Sequence, residues 1–160
     1  MDEPNESDGT TPDDTPSDDA ERGSTVLVER AREALERAHV PYSGYRVGAA
    51  IETADGSVYT GCNIENANYS NSLHAEEVAL AEAVKRGHAD FARIAVSSGA
   101  RDGVTPCGMC RQTLAEFCEE SFVVLCDEGD RIAEYSLGEL LPASISQSTL
   151  EAAEGPDDGN

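Results

Sequence analysis

Two short segments carry the side chains able to do metal chemistry: His74-Ala75-Glu76, and Pro106-Cys107-Gly108-Met109-Cys110. Each opens a stretch whose composition predicts a helix. Cys107 and Cys110 are three apart, so they share a helical face and can hold one ion. His74 and Glu76 are two apart, which normally sets side chains on opposite sides of a helix. They converge only on a target beyond the helix N-terminus. Two helix starts aimed there would bring positive dipole ends, which favour thiolates and developing negative charge. One imidazole and two thiolates leave the fourth tetrahedral position of a Zn²⁺ ion free for water, the mark of a catalytic site. One zinc per subunit is expected, with Glu76 moving protons instead of ligating.

Taken singly, each segment has a plainer reading. A Cys-x-x-Cys pair is often half of a structural zinc site or a thiol redox pair, and a His-x-Glu on a helix is usually surface decoration. Together, at two helix starts about thirty residues apart, they favour catalysis. A closed structural site needs a fourth Cys or His. Cys118 falls two turns deeper on the same helix and reads as core, Cys62 and Cys126 sit at strand ends, and His39 and His88 read as incidental. No fourth ligand stands out.

The positioning elements follow from local pattern. Ser24 is placed to cap a helix with Val26, Leu27, Ala31, Ala34, Leu35 and Ala38 at helical spacing, stopped by Pro41. Residues 46–53 and 57–62 form a hairpin about Asp55-Gly56. Residues 74–86 form a helix stopped by Gly87, 92–98 a buried strand, and 107–118 a helix. Residues 121–126 and 131–135 are strands, and Ser136 caps a last turn ending at Pro142. This order predicts an α/β fold, a three-layer α/β/α sandwich with a five-stranded mixed sheet.

Charge bounds the partners. Of 160 residues, 32 are acidic and 11 are Lys or Arg, for a net −21. Residues 1–23 carry −8, residues 151–160 carry −4 and residues 24–150 carry −9. Both ends are nearly devoid of apolar side chains and are expected to be disordered tails around a catalytic domain at 24–150. The acidic body repels phosphate backbones and anionic lipid, which argues against polymeric nucleic acid as substrate. Lys85 is the single lysine; acid-rich, lysine-poor composition resembles proteins of a high-salt cytoplasm, so a halophilic source is expected. No apolar run is long enough to span a bilayer or to act as a signal peptide. Five cysteines, an odd number, point to reduced thiols and a cytoplasmic protein.

Across residues 24–150 the chain resembles the cytidine deaminases of pyrimidine salvage, in their short, homotetrameric branch. The resemblance rests on Pro41-Tyr42-Ser43, Val47-Gly48-Ala49-Ala50, Gly61-Cys62-Asn63-Ile64-Glu65-Asn66, His74-Ala75-Glu76, Pro106-Cys107-Gly108-Met109-Cys110-Arg111-Gln112 and Leu140-Leu141-Pro142, in that order. His-x-Glu followed by Pro-Cys-x-x-Cys is the known pattern of zinc deaminases. The resemblance implies zinc ligands His74, Cys107 and Cys110, and Glu76 as base and then acid. Asn63 and Glu65 would bond the ribose 3′-hydroxyl, with Tyr45 and Ala75 against the base. Arg111 would donate to the thiolates from behind. The implied reaction is hydrolysis of cytidine and deoxycytidine to uridine and deoxyuridine with release of ammonia. A tetramer is implied, or a dimer. Competing readings are a deaminase of a cytosine-containing antibiotic of the blasticidin type, a nucleic-acid editing deaminase, and a zinc module without activity.

Two positions depart from the short branch, which usually carries Cys where this chain has His74 and Arg where it has Glu77. Three thiolates with Zn²⁺ sum to −1, which an Arg can offset; His with two thiolates sums to 0, and the Arg becomes unnecessary. His at this place is a feature of the larger dimeric branch. Ile145 stands in a segment where the family often has Phe stacking on the base in a neighbouring subunit; Ile packs but cannot stack. The charge count generates an expectation: His74→Cys lowers turnover, and adding Glu77→Arg recovers part of it. A double variant no better than the single one in a deamination assay would contradict the compensation.

Overall fold

A computed structural model describes residues 18–100, 103–146 and 149–150. Among the described residues, the named elements are four helices, a short 3₁₀ turn and five strands, in the order α1 (Asp18–Leu35), β1 (Val47–Thr53), β2 (Val58–Cys62), the 3₁₀ turn (Tyr69–Asn71), α2 (Ala75–Lys85), β3 (Phe91–Ser98), α3 (Gly108–Ala115), β4 (Val123–Asp127), β5 (Ile132–Ser136) and α4 (Leu137–Leu140). The strands form one mixed sheet ordered β2-β1-β3-β4-β5. Only β3 and β4 run parallel, and α3 lies in the connection between them, as a parallel pair requires.

Alternation along the strands divides the core in two. Ala49, Ile51, Ile94, Val124 and Cys126 pack with Ala75, Ala79, Leu80 and Ala83 of α2, Leu114 of α3 and Leu137 of α4. Ala50, Ala95 and Leu125 face the other way, onto Leu27, Val28 and Ala31 of α1. The expected three layers and five-stranded mixed sheet are therefore the observed architecture.

The first helix differs from the expectation at both ends. It begins at Asp18, six residues before the expected cap, with Asp18, Asp19 and Glu21 in a first turn where acids meet the positive dipole end. Ser24 is inside the helix, and its hydroxyl donates to the Ala20 carbonyl at 3.0 Å. The acidic segment expected to be disordered through residue 23 is thus helical over its last six residues. The rest of it, and the tail 151–160, lie outside the described residues. Val26, counted in the apolar stripe, is exposed. At the other end, the helix stops at Leu35 and not against Pro41. Glu36, Arg37 and Ala38 donate to carbonyls only three residues back. The His39 N–H donates to the Asn63 carbonyl and the His39 carbonyl accepts from the Glu65 N–H, so the chain is drawn off towards the β2 exit.

The stop of α2 falls as expected. Gly87, at φ +92°, donates to the Val84 carbonyl while the His88 N–H reaches the Ala83 carbonyl at 3.1 Å, the paired bonds of a Schellman motif. Helix α3 is shorter than expected, ending at Ala115 and unwinding through Cys118, whose thiol packs against the main core.

Asp127, at the end of β4, locks α1 to the sheet. Its carboxylate accepts from Arg32 Nε at 2.7 Å and Nη2 at 2.6 Å, from the Ser97 hydroxyl at 2.7 Å and from the Gly129 N–H at 2.9 Å. Burial alone would raise this carboxyl's pKa, but these donors outweigh it and hold it below the usual value. A depressed folded-state pKa gives stability that is present above the unfolded value, ~3.9, and lost as pH falls through the folded one. Asp127→Asn is expected to cost about 1–3 kcal/mol at neutral pH, with the gap to wild type closing as urea titrations are taken below about pH 4. A gap independent of pH would contradict the linkage.

Candidate metal centre

Helices α2 and α3 lie on the same side of the sheet, and each begins with a metal-type ligand in place of a capping side chain. His74 is the N-cap of α2 and Cys107 the N-cap of α3, both with extended backbone. Ser, Thr, Asp or Asn is the usual choice at such a position. At α2 part of the capping pattern survives: the Glu77 carboxylate accepts from the His74 backbone N–H at 3.1 Å, the return bond of a capping box. Glu77 therefore fixes the backbone of a ligand, a role not expected from charge counting.

The three donor atoms meet. Cys107 Sγ and Cys110 Sγ are 3.7 Å apart, and His74 Nδ1 lies 3.2 Å from each. Tetrahedral zinc with Zn–S ~2.3 Å and Zn–N ~2.0 Å requires edges of roughly 3.8 Å between sulfurs and roughly 3.5 Å between nitrogen and sulfur. The cluster matches the first and is a few tenths of an ångström tight on the second. Among the described residues it is the one His, Cys or carboxylate group of three able to hold an ion, and no fourth side chain joins it. Cys62, Cys118 and Cys126 remain apart as free thiols. Burial first, then the nearby Glu76 and Cys107, pushes the Cys110 thiol up, so loading a cation there displaces a proton and couples binding to pH.

Glu76, second residue of α2, is 5% exposed. Burial raises its carboxyl pKa, partly countered by its own N–H, the Cys110 thiol and His74. It lines a cavity of about 260 Å³ with His74, Cys107, Tyr45, Ala75 and Asn63. Val47, Val104 and Thr105 complete that wall without having been expected; residues 104–105 lie on a loop with no helical or strand period to flag them. Asn63 and His74 also line an outer cavity of about 350 Å³, with Glu65, Tyr42, Ser43 and Tyr69. Tyr69, on the polar 3₁₀ turn, stands edge-on to Tyr42 at 5.8 Å.

Asn63 and Glu65 are already at work in the protein itself. The Asn63 side chain accepts from the Val47 N–H at 2.9 Å and donates to the Tyr45 carbonyl at 2.8 Å. Glu65 accepts from the N–H groups of Tyr42 (2.8 Å) and Ser43 (3.2 Å) and from the Ser43 hydroxyl. These bonds, the Ser43 hydroxyl foremost, hold the Glu65 carboxyl below its usual value. Both residues thus brace the 42–47 loop that carries Tyr45, and each keeps one or more unused donor or acceptor positions. Arg111 departs from its expected place. Its guanidinium donates to the Pro106 and Leu140 carbonyls and to the Thr105 hydroxyl, not to sulfur: three nearby neutral oxygens satisfy its fork.

The close fit of α2 depends on Gly61. A Cβ there would sit 2.3 Å from the Ala75 carbonyl oxygen and 2.4 Å from the Ala79 N, so any side chain forces the first turn of α2 off the sheet. The small side chains Ala49, Ala75 and Ala79, all fully buried, continue this contact.

Residues 23–126 match the family model for the cytidine and deoxycytidylate deaminase zinc-binding region. A cytidine deaminase from Sporosarcina psychrophila is 43% identical over 129 residues, covering 79% of this chain and 94% of that protein. One from Halalkalibacterium halodurans is 43% identical over 127 residues, covering 78% and 96%. The crystal structure of a cytidine deaminase from Burkholderia pseudomallei superposes with a TM-score of 0.72 at 39% identity, covering 76% of this chain and 98% of that one.

Gly61→Ala is expected to cost about 1–3 kcal/mol or more by overpacking and to lower zinc content by moving His74. Full zinc occupancy with unchanged melting temperature would contradict the contact.

Proposed function

The chain belongs to the cytidine and deoxycytidylate deaminase zinc-binding family, and from that membership we propose that it hydrolyses cytidine and deoxycytidine to uridine and deoxyuridine, releasing ammonia in pyrimidine salvage. The observation that carries this reading is the cluster of His74, Cys107 and Cys110 beside a buried carboxylate, Glu76, on the wall of one cavity.

His74, Cys107 and Cys110 would hold zinc, which when bound would supply Lewis acidity that lowers the pKa of water towards ~7. Glu76, buried on the wall of the same cavity, would accept a proton from the attacking water and deliver it to N3 of the base, which makes C4 electrophilic. The water oxygen bonds to C4, Glu76 takes the remaining proton of that hydroxyl and passes it to the exocyclic nitrogen, the C4–N bond breaks as the C4 carbonyl forms, and ammonia departs. One carboxylate serves as base and then acid, which a pKa raised by burial towards the working pH favours. The inner cavity suits the base, with Tyr45 and Ala75 in its wall, and the outer cavity suits the sugar, with Asn63 and Glu65 offering their remaining polar positions to hydroxyls.

Among cytosine compounds the outer cavity favours a nucleoside over a nucleotide. Among the described residues its one charged side chain is the Glu65 carboxylate, and no described Lys or Arg lines either cavity. A phosphate would meet repulsion without a counter-charge. The same features, with the net charge of −21, speak against nucleic-acid strands. A homotetramer is the assembly proposed, with a dimer as the other choice. Exposed apolar side chains, Ile64, Leu73, Met109 and Ile145 among them, support self-association, and Ile145 would pack without stacking. Five free thiols suit a cytoplasmic setting. No helix among the described residues is long and apolar enough to cross a membrane. The acid excess with one lysine suits high salt.

The test is absorbance loss and ammonia release on cytidine, deoxycytidine, deoxycytidylate, cytosine and a blasticidin-type antibiotic, with and without a chelator. The two nucleosides are expected to turn over, and the chelator to abolish it. Glu76→Gln should keep one zinc and lose about 100- to 10,000-fold in turnover; an active Gln variant, or turnover of the antibiotic alone, would refute the proposal.

A further inference from the structure

The first turns of α3 carry a pair of long polar side chains directly after the metal-type ligands, and both reach the same stretch of chain. Arg111 Nη1 donates to the Leu140 carbonyl at 2.9 Å, and Gln112 Nε2 to the Ile145 carbonyl at 3.0 Å. The bracketed strap, residues 140–145, turns at Ala143, a non-glycine residue at φ +52°. Beside these bonds, the strap stands off the far end of α3 across a cavity of about 580 Å³ lined by Cys118, Leu141, Ala143 and Ser144. Leu140 packs against the main core, and the two polar bonds tie the strap to the helix beside the cavity.

Arg111 does more than Gln112. Its Nε donates to the Pro106 carbonyl at 2.7 Å and its Nη2 to the Thr105 hydroxyl at 3.1 Å. Pro106 and Thr105 immediately precede Cys107, and Thr105 lines the inner cavity. One planar fork therefore fixes three oxygens: two on the approach to a zinc ligand and one at the end of α4. None of the ion pairs found among the described residues involves it. A lysine, a point charge on a flexible stem, could not reproduce three bonds in one plane.

We propose that Arg111 is a positioning residue that clasps the Thr105–Cys107 approach to the Leu140 strap, so that the sulfur of Cys107 is held for zinc by the C-terminal segment of the chain. This rests on the reading of His74, Cys107 and Cys110 as zinc ligands. It differs from a thiolate-donor role for Arg111: the clasp works by geometry, and charge alone does not replace it.

The experiment compares wild type, Arg111→Gln, Arg111→Lys, Thr105→Val and Gln112→Ala. It measures zinc affinity by competition with a chromogenic chelator and amide exchange over the strap, with folding followed by circular dichroism. Arg111→Gln and Arg111→Lys are each expected to weaken zinc binding about 10- to 100-fold and to speed exchange at 137–146. Thr105→Val is expected to give a smaller loss of affinity in the same direction and serves where the Arg111 variants do not fold. Gln112→Ala should speed exchange near Ile145 and leave zinc affinity unchanged. Full zinc affinity in Arg111→Lys would mean that charge suffices, and full affinity in a folded Arg111→Gln or in Thr105→Val would mean that no clasp operates; either overturns the proposal. A wild-type protein without stoichiometric zinc would overturn the ligand reading itself, and the clasp with it.

Discussion

Two helices of this chain start at one point in space, and the fold is arranged around that coincidence. A helix N-terminus leaves backbone N–H groups without intrahelical partners, and the usual remedy is an N-cap side chain that accepts from one of them. Here both N-cap positions, His74 and Cys107, turn their side chains to a shared point instead. Leaving Cys107 without a capping bond is a local cost, typically ~1 kcal/mol. At α2 a capping box remains, with the Glu77 carboxylate returning to the His74 N–H. In exchange the positive ends of two helices face a pair of sulfurs, where they favour the anionic form needed for a metal.

Holding two helix ends within bonding distance of one ion leaves little tolerance in the layer beneath. The sheet surface under α2 is accordingly built from Gly61, Ala49 and the alanines of the helix itself, which let backbone approach backbone. Leu80 and Ala83 anchor the rest of that helix. On the opposite face α1 is tied at a distance from the site through Asp127 and Arg32. The site is thus supported from one layer and stabilised from another. The loop at 42–47 is the remaining wall, and it is braced by Asn63 and Glu65, residues that also border the cavities.

Much of this was legible in the residues alone, for physical reasons that differ by element. The runs of small and apolar residues in β1 and β3 reported strands because helices cover both faces of the sheet, so successive residues are buried on either side. The Cys107–Cys110 spacing and the two-residue offset of His74 and Glu76 were enough to demand a target beyond a helix start, which is where the donor atoms meet. Other features had no local signal. The Asp18 start of α1 was hidden because Asp, Glu and Ser suit both a solvated tail and a helix first turn. The end at Leu35 is set by pairing of His39 with the β2 exit, a contact distant in sequence. The family resemblance sets Arg111 against sulfur, whereas its fork meets the Pro106 carbonyl, the Thr105 hydroxyl and the Leu140 carbonyl, the last distant in sequence. Val104, Thr105 and Tyr69 enter the cavities from loops, where no periodicity marks a side chain's direction.

The arrangement of the two helix starts implies an ion held by one nitrogen and two sulfurs with a position left for water. Zinc K-edge X-ray absorption on the loaded wild-type protein tests this most directly. The expected first shell is two sulfurs at ~2.3 Å and one imidazole nitrogen at ~2.0 Å, with one further light atom not supplied by the protein. A third sulfur, a second imidazole, or a shell filled entirely by protein donors would contradict it.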